Sequence, residues 1–100
     1  MLVVSGTITV GEATLDKALD AIATLVAATV NEDGCGSYGF YQTPGEPTVF
    51  RVFEEWESAE AMNAHMASEH FLAFMGAAGE IGITGASLSQ YSVSDKTTLM

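Results

Sequence analysis

Two hydrophobic periods divide the chain. A β-rich run begins at Leu2 and ends in the alternation Thr7-Ile8-Thr9-Val10, which predicts a first strand over 2–10, broken by Gly11. Beyond it, Leu15, Ala18, Leu19, Ile22, Leu25, Val26 and Val30 recur with a period of 3.6 residues. They predict an amphipathic helix over 14–31, with Asp16, Lys17 and Asp20 on its wet side and Asn31-Glu32-Asp33-Gly34 ending it. Period 2 returns over 36–43, where Tyr38, Phe40 and Gln42 share one face and Gly39 and Tyr41 the other, and again over 48–56. Pro44-Gly45-Glu46-Pro47 between these runs is a turn of hairpin length, so the second and third strands are expected to be antiparallel.

Ser58 is placed to cap a helix over 59–67, and Ser68 a short one over 69–78. Gly76, Gly79, Gly82 and Gly85 then recur every third residue. Without prolines this is no collagen repeat, and the spacing is no dinucleotide fingerprint, so the stretch reads as a mobile loop. A fourth strand is expected over 86–93 and a polar tail over 94–100. The order β-α-β-β-α-(α)-β predicts an α+β, ferredoxin-like fold, one domain over 1–100.

The third strand adds an inference about assembly. Its faces are Val49, Arg51, Phe53, Glu55 and Phe50, Val52, Glu54, Trp56, and both begin apolar. Two or three helices cover one face of a four-stranded sheet. A second copy of the same sheet is the simplest cover for the other, which makes a homodimer the expectation. The 48% apolar content is rich for a small monomer and points the same way.

Charge removes whole classes of partner. The formal net charge is −10, and Lys17, Arg51 and Lys96 are the only fixed cations. Nucleic acid, anionic membranes and polyphosphate cofactors all call for clustered cations, so none is expected. The balance fits a cytoplasmic protein. Cys35 has no partner for an internal disulfide and no neighbouring His or Lys to activate it. Met1 to Val10 lacks the features of a signal peptide, and no apolar run approaches the roughly 20 residues of a membrane span. A chain of this length buries only about two-thirds of its unfolded surface, leaving little room for a deep pocket within one subunit.

The candidate chemistry clusters between Glu54 and Phe74. His65 and His70 are the only histidines, five apart across a helix break. Metal pairs on one helix sit three or four apart, and neither Glu60 nor Glu69 completes a set, so no metal is expected. His65 shares a face with Ala61 and Met62. It reads either as a half-buried structural histidine bonded to a carbonyl or to Glu54, or as a group that moves protons near neutral pH. Glu54 lies on the face of Phe50, Val52 and Trp56. Burial there would raise its pKa and suit it to proton exchange, while a structural bond to the following helix N-terminus is the alternative.

Trp56 offers a flat wall with one N–H donor, or plain core packing. Tyr38, Tyr41, Tyr91 and Asn63 offer hydrogen-bonding groups. Met62, Met66, Met75, Phe71 and Phe74 suit a soft-walled cavity for a flat apolar ligand and an ordinary core equally. There is no Gly-x-Ser-x-Gly elbow, phosphate loop or zinc cysteine pair, which argues against hydrolase, kinase and zinc-site readings.

On Glu32-Asp33-Gly34-Cys35, Tyr38, Phe50, Glu54-Glu55-Trp56-Glu57-Ser58, His65, Ser68, His70-Phe71 and Phe74, the chain resembles the antibiotic biosynthesis monooxygenase domain family, with its quinol monooxygenase-like members. The resemblance runs from the first strand to the fourth. It implies a dimeric α+β barrel of two sheets face to face, and a pocket between each sheet and its helices. It also implies oxidation of phenols or quinols by O2 without metal, flavin or haem. The haem-degrading branch is a poor match: its strand Asn has no counterpart here, His65 stands at its helical Trp position, and Met75 lies near its axial His.

The expected function is therefore a cofactor-independent monooxygenase acting on a phenolic, quinol or aromatic polyketide-like small molecule. His65 is the expected base, oriented by Glu54 or His70. Trp56 would stack on the substrate ring, Tyr38 or Asn63 would bond its oxygen, and Met62, Met66, Phe71 and Phe74 would line the pocket. A non-catalytic ligand-binding dimer and an isomerase on a small metabolite are the alternatives.

Overall fold

A computed structural model describes residues 1–100. Four strands and three helices follow one another as β1 Leu2–Val10, α1 Leu15–Thr29, β2 Cys35–Thr43, β3 Glu46–Trp56, α2 Ala59–Met66, α3 Glu69–Gly76 and β4 Ile83–Ser92. The strands form one antiparallel sheet in the order β2-β3-β1-β4, the ferredoxin-like arrangement.

Period 2 dictates the two faces of this sheet. On the inner face, Phe50, Val52, Glu54 and Trp56 of β3 are all buried. Their partners across β1 are Ile8, Gly6, Val4 and Leu2. Gly6 is required where it stands, because a Cβ there would run into the Ser87 carbonyl of β4. Ala18, Ile22 and Leu25 of α1 close over this face with Ile8, Val10, Phe50 and Val52 in one core. Thr29, a fully buried polar residue at the end of α1, is satisfied by donating to the Leu25 carbonyl at 2.7 Å.

The outer face keeps its apolar side chains in the open. Phe53 is 37% exposed, and Tyr41 and Tyr91 are more than half exposed. β4 differs from the other strands: every residue after Ile83 is exposed, including Leu88 on the inner side.

Several boundaries depart from the sequence reading. The first helix is preceded by a 3-10 turn over Glu12–Thr14 and stops at Thr29. β2 gains Cys35, and β3 starts two residues early at Glu46, where the register against β2 shifts between Gln42 and Thr43. α2 ends one residue early, and α3 ends at Gly76, before 78.

The larger correction concerns the glycine series. It forms no extended loop, because β4 begins at Ile83 and incorporates Gly85. Ile81 is buried, and its amide and that of Ile83 donate to Ala77 and Ala78. Gly82 adopts φ +75° and accepts a hydrogen bond from the Gly11 amide at 3.0 Å. An L side chain is strained in that region, and a Cβ would also press on the Thr14 hydroxyl. No helix is long and apolar enough to cross a membrane.

Candidate active site

Two serine caps and one strand place the candidate residues. Ser58 accepts from the Ala61 amide and starts α2, whose last turn carries His65. Ser68 accepts from the Phe71 amide and donates to the His65 carbonyl at 2.6 Å, so it starts α3 and ties it to the end of α2. This junction sets His65 and His70 side by side, ring centroids 6.0 Å apart. His65 is 2% exposed, packed between the Trp56 ring at 4.8 Å, Phe71 at 4.9 Å and Tyr38 at 5.1 Å.

The carboxylate that meets the histidines is Glu32, in the turn after α1. Its Oε2 lies 2.6 Å from His65 Nδ1 and 2.8 Å from His70 Nε2. An ionised carboxylate only accepts, so each of these nitrogens carries a proton. A neutral His65 then presents Nε2 as an acceptor, and this atom is buried with no hydrogen-bond partner. The sequence reading weighed Glu60 and Glu69 beside the two histidines; the carboxylate that reaches them is Glu32, and Glu32, His65 and His70 put their ligand atoms within 4.8 Å of one another.

His65 lines a small cavity of about 140 Å³, with Val4, Glu54, Met62, Met66, Phe71 and Leu88. A second cavity, of about 250 Å³, lies alongside between the sheet and α3, walled by Tyr38, Phe40, Phe74, Met75 and other apolar side chains. Glu54, Phe71 and Leu88 border both, so Glu54 stands at their junction. The two cavities are open on the side of β4, whose residues after Ile83 are exposed, and neither is a deep pocket closed within the subunit.

The electrostatics of this junction favour neutral groups. Burial pushes the Glu54 carboxyl up, and only partly do the Trp56 N–H and the nearby His65 pull it back. The Trp56 Nε1–H donates to Glu54 Oε1 at 2.9 Å. Tyr38 is held firmly protonated by burial, with the carboxylates of Glu54 and Glu32 adding to the effect. Cys35 is likewise pushed up by burial and by Glu32, which suits an inert thiol rather than a nucleophile.

The structure brings most of the expected residues together and redistributes their parts. Glu54, Tyr38, His65, Met62, Met66, Phe71 and Phe74 border the cavities. Trp56 is fully buried and borders neither of them. It stacks near His65 and bonds Glu54, so it supports the site and has no face for a substrate ring. Asn63 is exposed on α2 and lines neither cavity. His70 backs His65 through Glu32 and does not touch these two cavities. Glu54, expected to orient His65, is engaged with Trp56 instead.

Leu88, Phe40 and Glu32 were not assigned to the site from sequence. Only Glu32 had a signal, its place in the stretch that carries the family resemblance.

A ferredoxin-like sheet with a half-enclosed apolar cavity and a buried, carboxylate-backed histidine defines the chain as an α+β protein with a candidate small-molecule pocket. The comparisons specify its family. The model of the antibiotic biosynthesis monooxygenase family matches residues 1–77, and the chain belongs to that family. Solved structures agree in fold. A candidate antibiotic biosynthesis monooxygenase from Deinococcus radiodurans superposes with a TM-score of 0.90 at 22% identity, over 100% of this chain and 99% of that one. A Bacteroides thetaiotaomicron protein of unknown function, described as a possible oxidoreductase, gives a TM-score of 0.81 at 27% identity over 90% and 94%. An uncharacterised protein of Synechocystis is 26% identical over 98% of this chain and 67% of its own length.

Proposed function

We propose that the protein is a cofactor-independent monooxygenase that oxidises a phenolic or quinol-type aromatic molecule with O2. The observation that carries this reading is His65: Nδ1–H is fixed on Glu32, and the unpartnered Nε2 belongs to a ring bordering an apolar cavity. That is the arrangement of a general base poised for a neutral acid.

His65 Nε2 takes the phenolic proton, and Glu32 stabilises the imidazolium that forms. The electron-rich phenolate passes one electron to O2, and the resulting radical pair recombines at a ring carbon as a hydroperoxide. His65 gives the captured proton to the peroxide, then takes the ring C–H proton as the O–O bond breaks and passes it to the departing hydroxide, so water leaves and the quinone remains. One phenol and one O2 thus give one quinone and one water. The apolar walls exclude solvent from the radical pair, and the protonated Tyr38 hydroxyl is a hydrogen-bond donor for a substrate oxygen.

The working form in this reading is a homodimer, in which a second sheet covers Phe53, Tyr41, Tyr91 and their neighbours on the outer face. Oxygen uptake measured over a panel of mono-, bi- and tricyclic quinols tests the function. Stoichiometric consumption of one O2 per quinol, above the rate of the uncatalysed reaction, is the expected result. Turnover without oxygen uptake would replace the reading with an isomerase, and saturable binding without turnover with a carrier.

A further inference from the structure

Glu32, His65 and His70 come from three separate elements, and their polar atoms converge. We propose that this trio is a binding site for a single divalent transition cation of the zinc and cobalt kind, and that occupancy switches off the proton-accepting nitrogen of His65.

The directions are already set. Nδ1 of His65 and Nε2 of His70 both point at one carboxylate oxygen, at 2.6 and 2.8 Å. Around a tetrahedral cation the same atoms stand about 2.0–2.2 Å from the metal. They would then be about 3.3 Å from one another. All of them lie within 4.8 Å now. The cation takes the position of the oxygen, and the carboxylate swings back to become a ligand. Glu32 has the freedom for this, as a turn residue whose side chain is 16% exposed. His70, 23% exposed, opens the route from solvent. Two imidazoles and one carboxylate select zinc, cobalt or nickel over magnesium or calcium, and a net charge of −10 draws cations in general.

The consequence for His65 follows from proton counting. A neutral imidazole carries one proton. In the hydrogen-bonded state that proton sits on Nδ1, facing Glu32. A metal takes the Nδ1 lone pair, so the proton moves to Nε2, and His70 moves its own proton from Nε2 to Nδ1. No proton is gained or lost. The cavity-side nitrogen has changed from acceptor to donor and can no longer take a proton from a ligand. The cation site stands apart from the catalytic reading; only its effect on turnover rests on it.

Titrating the full chain with cobalt(II) chloride and recording the visible absorption of four-coordinate cobalt tests the site without any substrate. One equivalent is expected, displaced by zinc. Glu32→Gln and His70→Ala are each expected to weaken cobalt binding at least tenfold, with circular dichroism confirming the fold. Nitrogen-15 spectra of the imidazoles should show the His65 proton on Nε2 in the zinc form. Absence of a saturable cobalt band, or equal affinity in both variants, would overturn the site. A His65 proton that stays on Nδ1 with zinc bound would overturn the switch. Where a quinol is turned over, zinc should inhibit in step with occupancy. A cobalt site that fills while turnover continues would overturn the switch and the assignment of His65 as base, leaving the site intact.

Discussion

Glu32 and His65 lie 33 positions apart in the chain, yet Oε2 of one stands 2.6 Å from Nδ1 of the other. Replacing Glu32 by Gln puts that relationship to the test, because an amide can turn its N–H to Nδ1 and favour the proton on Nε2, and its neutral carbonyl supports an imidazolium less well than a carboxylate does. The wrong tautomer can cost up to about 10⁴ in rate. The expected result is a fall in kcat of more than tenfold with KM little changed. Glu32→Asp, which keeps the acceptor, should recover part of the loss. Equal activity in Gln and wild-type protein would show that the tautomer of His65 is irrelevant to turnover.

His65→Ala should lower turnover by about 10²–10⁴, the usual worth of a general base. Folded protein should remain abundant, checked by circular dichroism and melting. If the melting temperature collapses while activity per folded molecule stays normal, the histidine is structural.

Glu54 makes stability depend on pH in a defined direction. Its carboxyl is raised in the folded state, chiefly by burial. Below the unfolded pKa it is neutral in both states and costs nothing. As pH climbs from there towards the folded pKa, the unfolded chain releases its proton first, so stability falls, and above the folded pKa it levels off. Glu54→Gln keeps an acceptor for Trp56 Nε1 and has no proton to lose. Urea unfolding at a series of pH values should therefore decline for the wild type and run flatter for the variant.

Ser68 holds the α2–α3 junction with one accepted and one donated hydrogen bond. Ser68→Ala should cost about 1 kcal/mol, the usual worth of a helix N-cap. Because the same hydroxyl fixes the His65 carbonyl, turnover should fall further than the loss of folded protein explains. A chemical denaturation midpoint and a rate at matched folded fraction separate the two.

Phe53→Glu should convert the proposed homodimer to a monomer, since Phe53 projects from the outer face of the sheet and is 37% exposed in a single chain. Sedimentation velocity at micromolar concentration reads this directly. A wild-type monomer would remove the premise.

The fold was largely legible from the residues, and the site only in part. Alternation in β3 separated Phe50, Val52, Glu54 and Trp56 from Val49, Arg51 and Phe53, and Ser58 and Ser68 marked both helix starts, because these signals are local. The start of β4 at Ile83 is hidden in the sequence because Gly82 and Gly85 look alike there, while only Gly82 occupies a positive φ. The meeting of Glu32 with His65 and His70 spans 33 and 38 residues, and no local pattern encodes it. Asn63 and Trp56 were misplaced for a subtler reason. Their chemistry suits a ligand, but the rotation of α2 turns one outward, and close packing seals the other away.

The register of β3 has a wider meaning. Phe50 and Val52, which secure the core, and Glu54, which stands between the cavities, are successive members of one row. A slip of a single residue against β1 would send the whole row outward and bring Phe53 and Glu55 in. A misfolded chain therefore cannot retain a half-working centre. Chemical competence and structural soundness thus depend on one register, to which α2 and α3 add His65 and His70 from the other side.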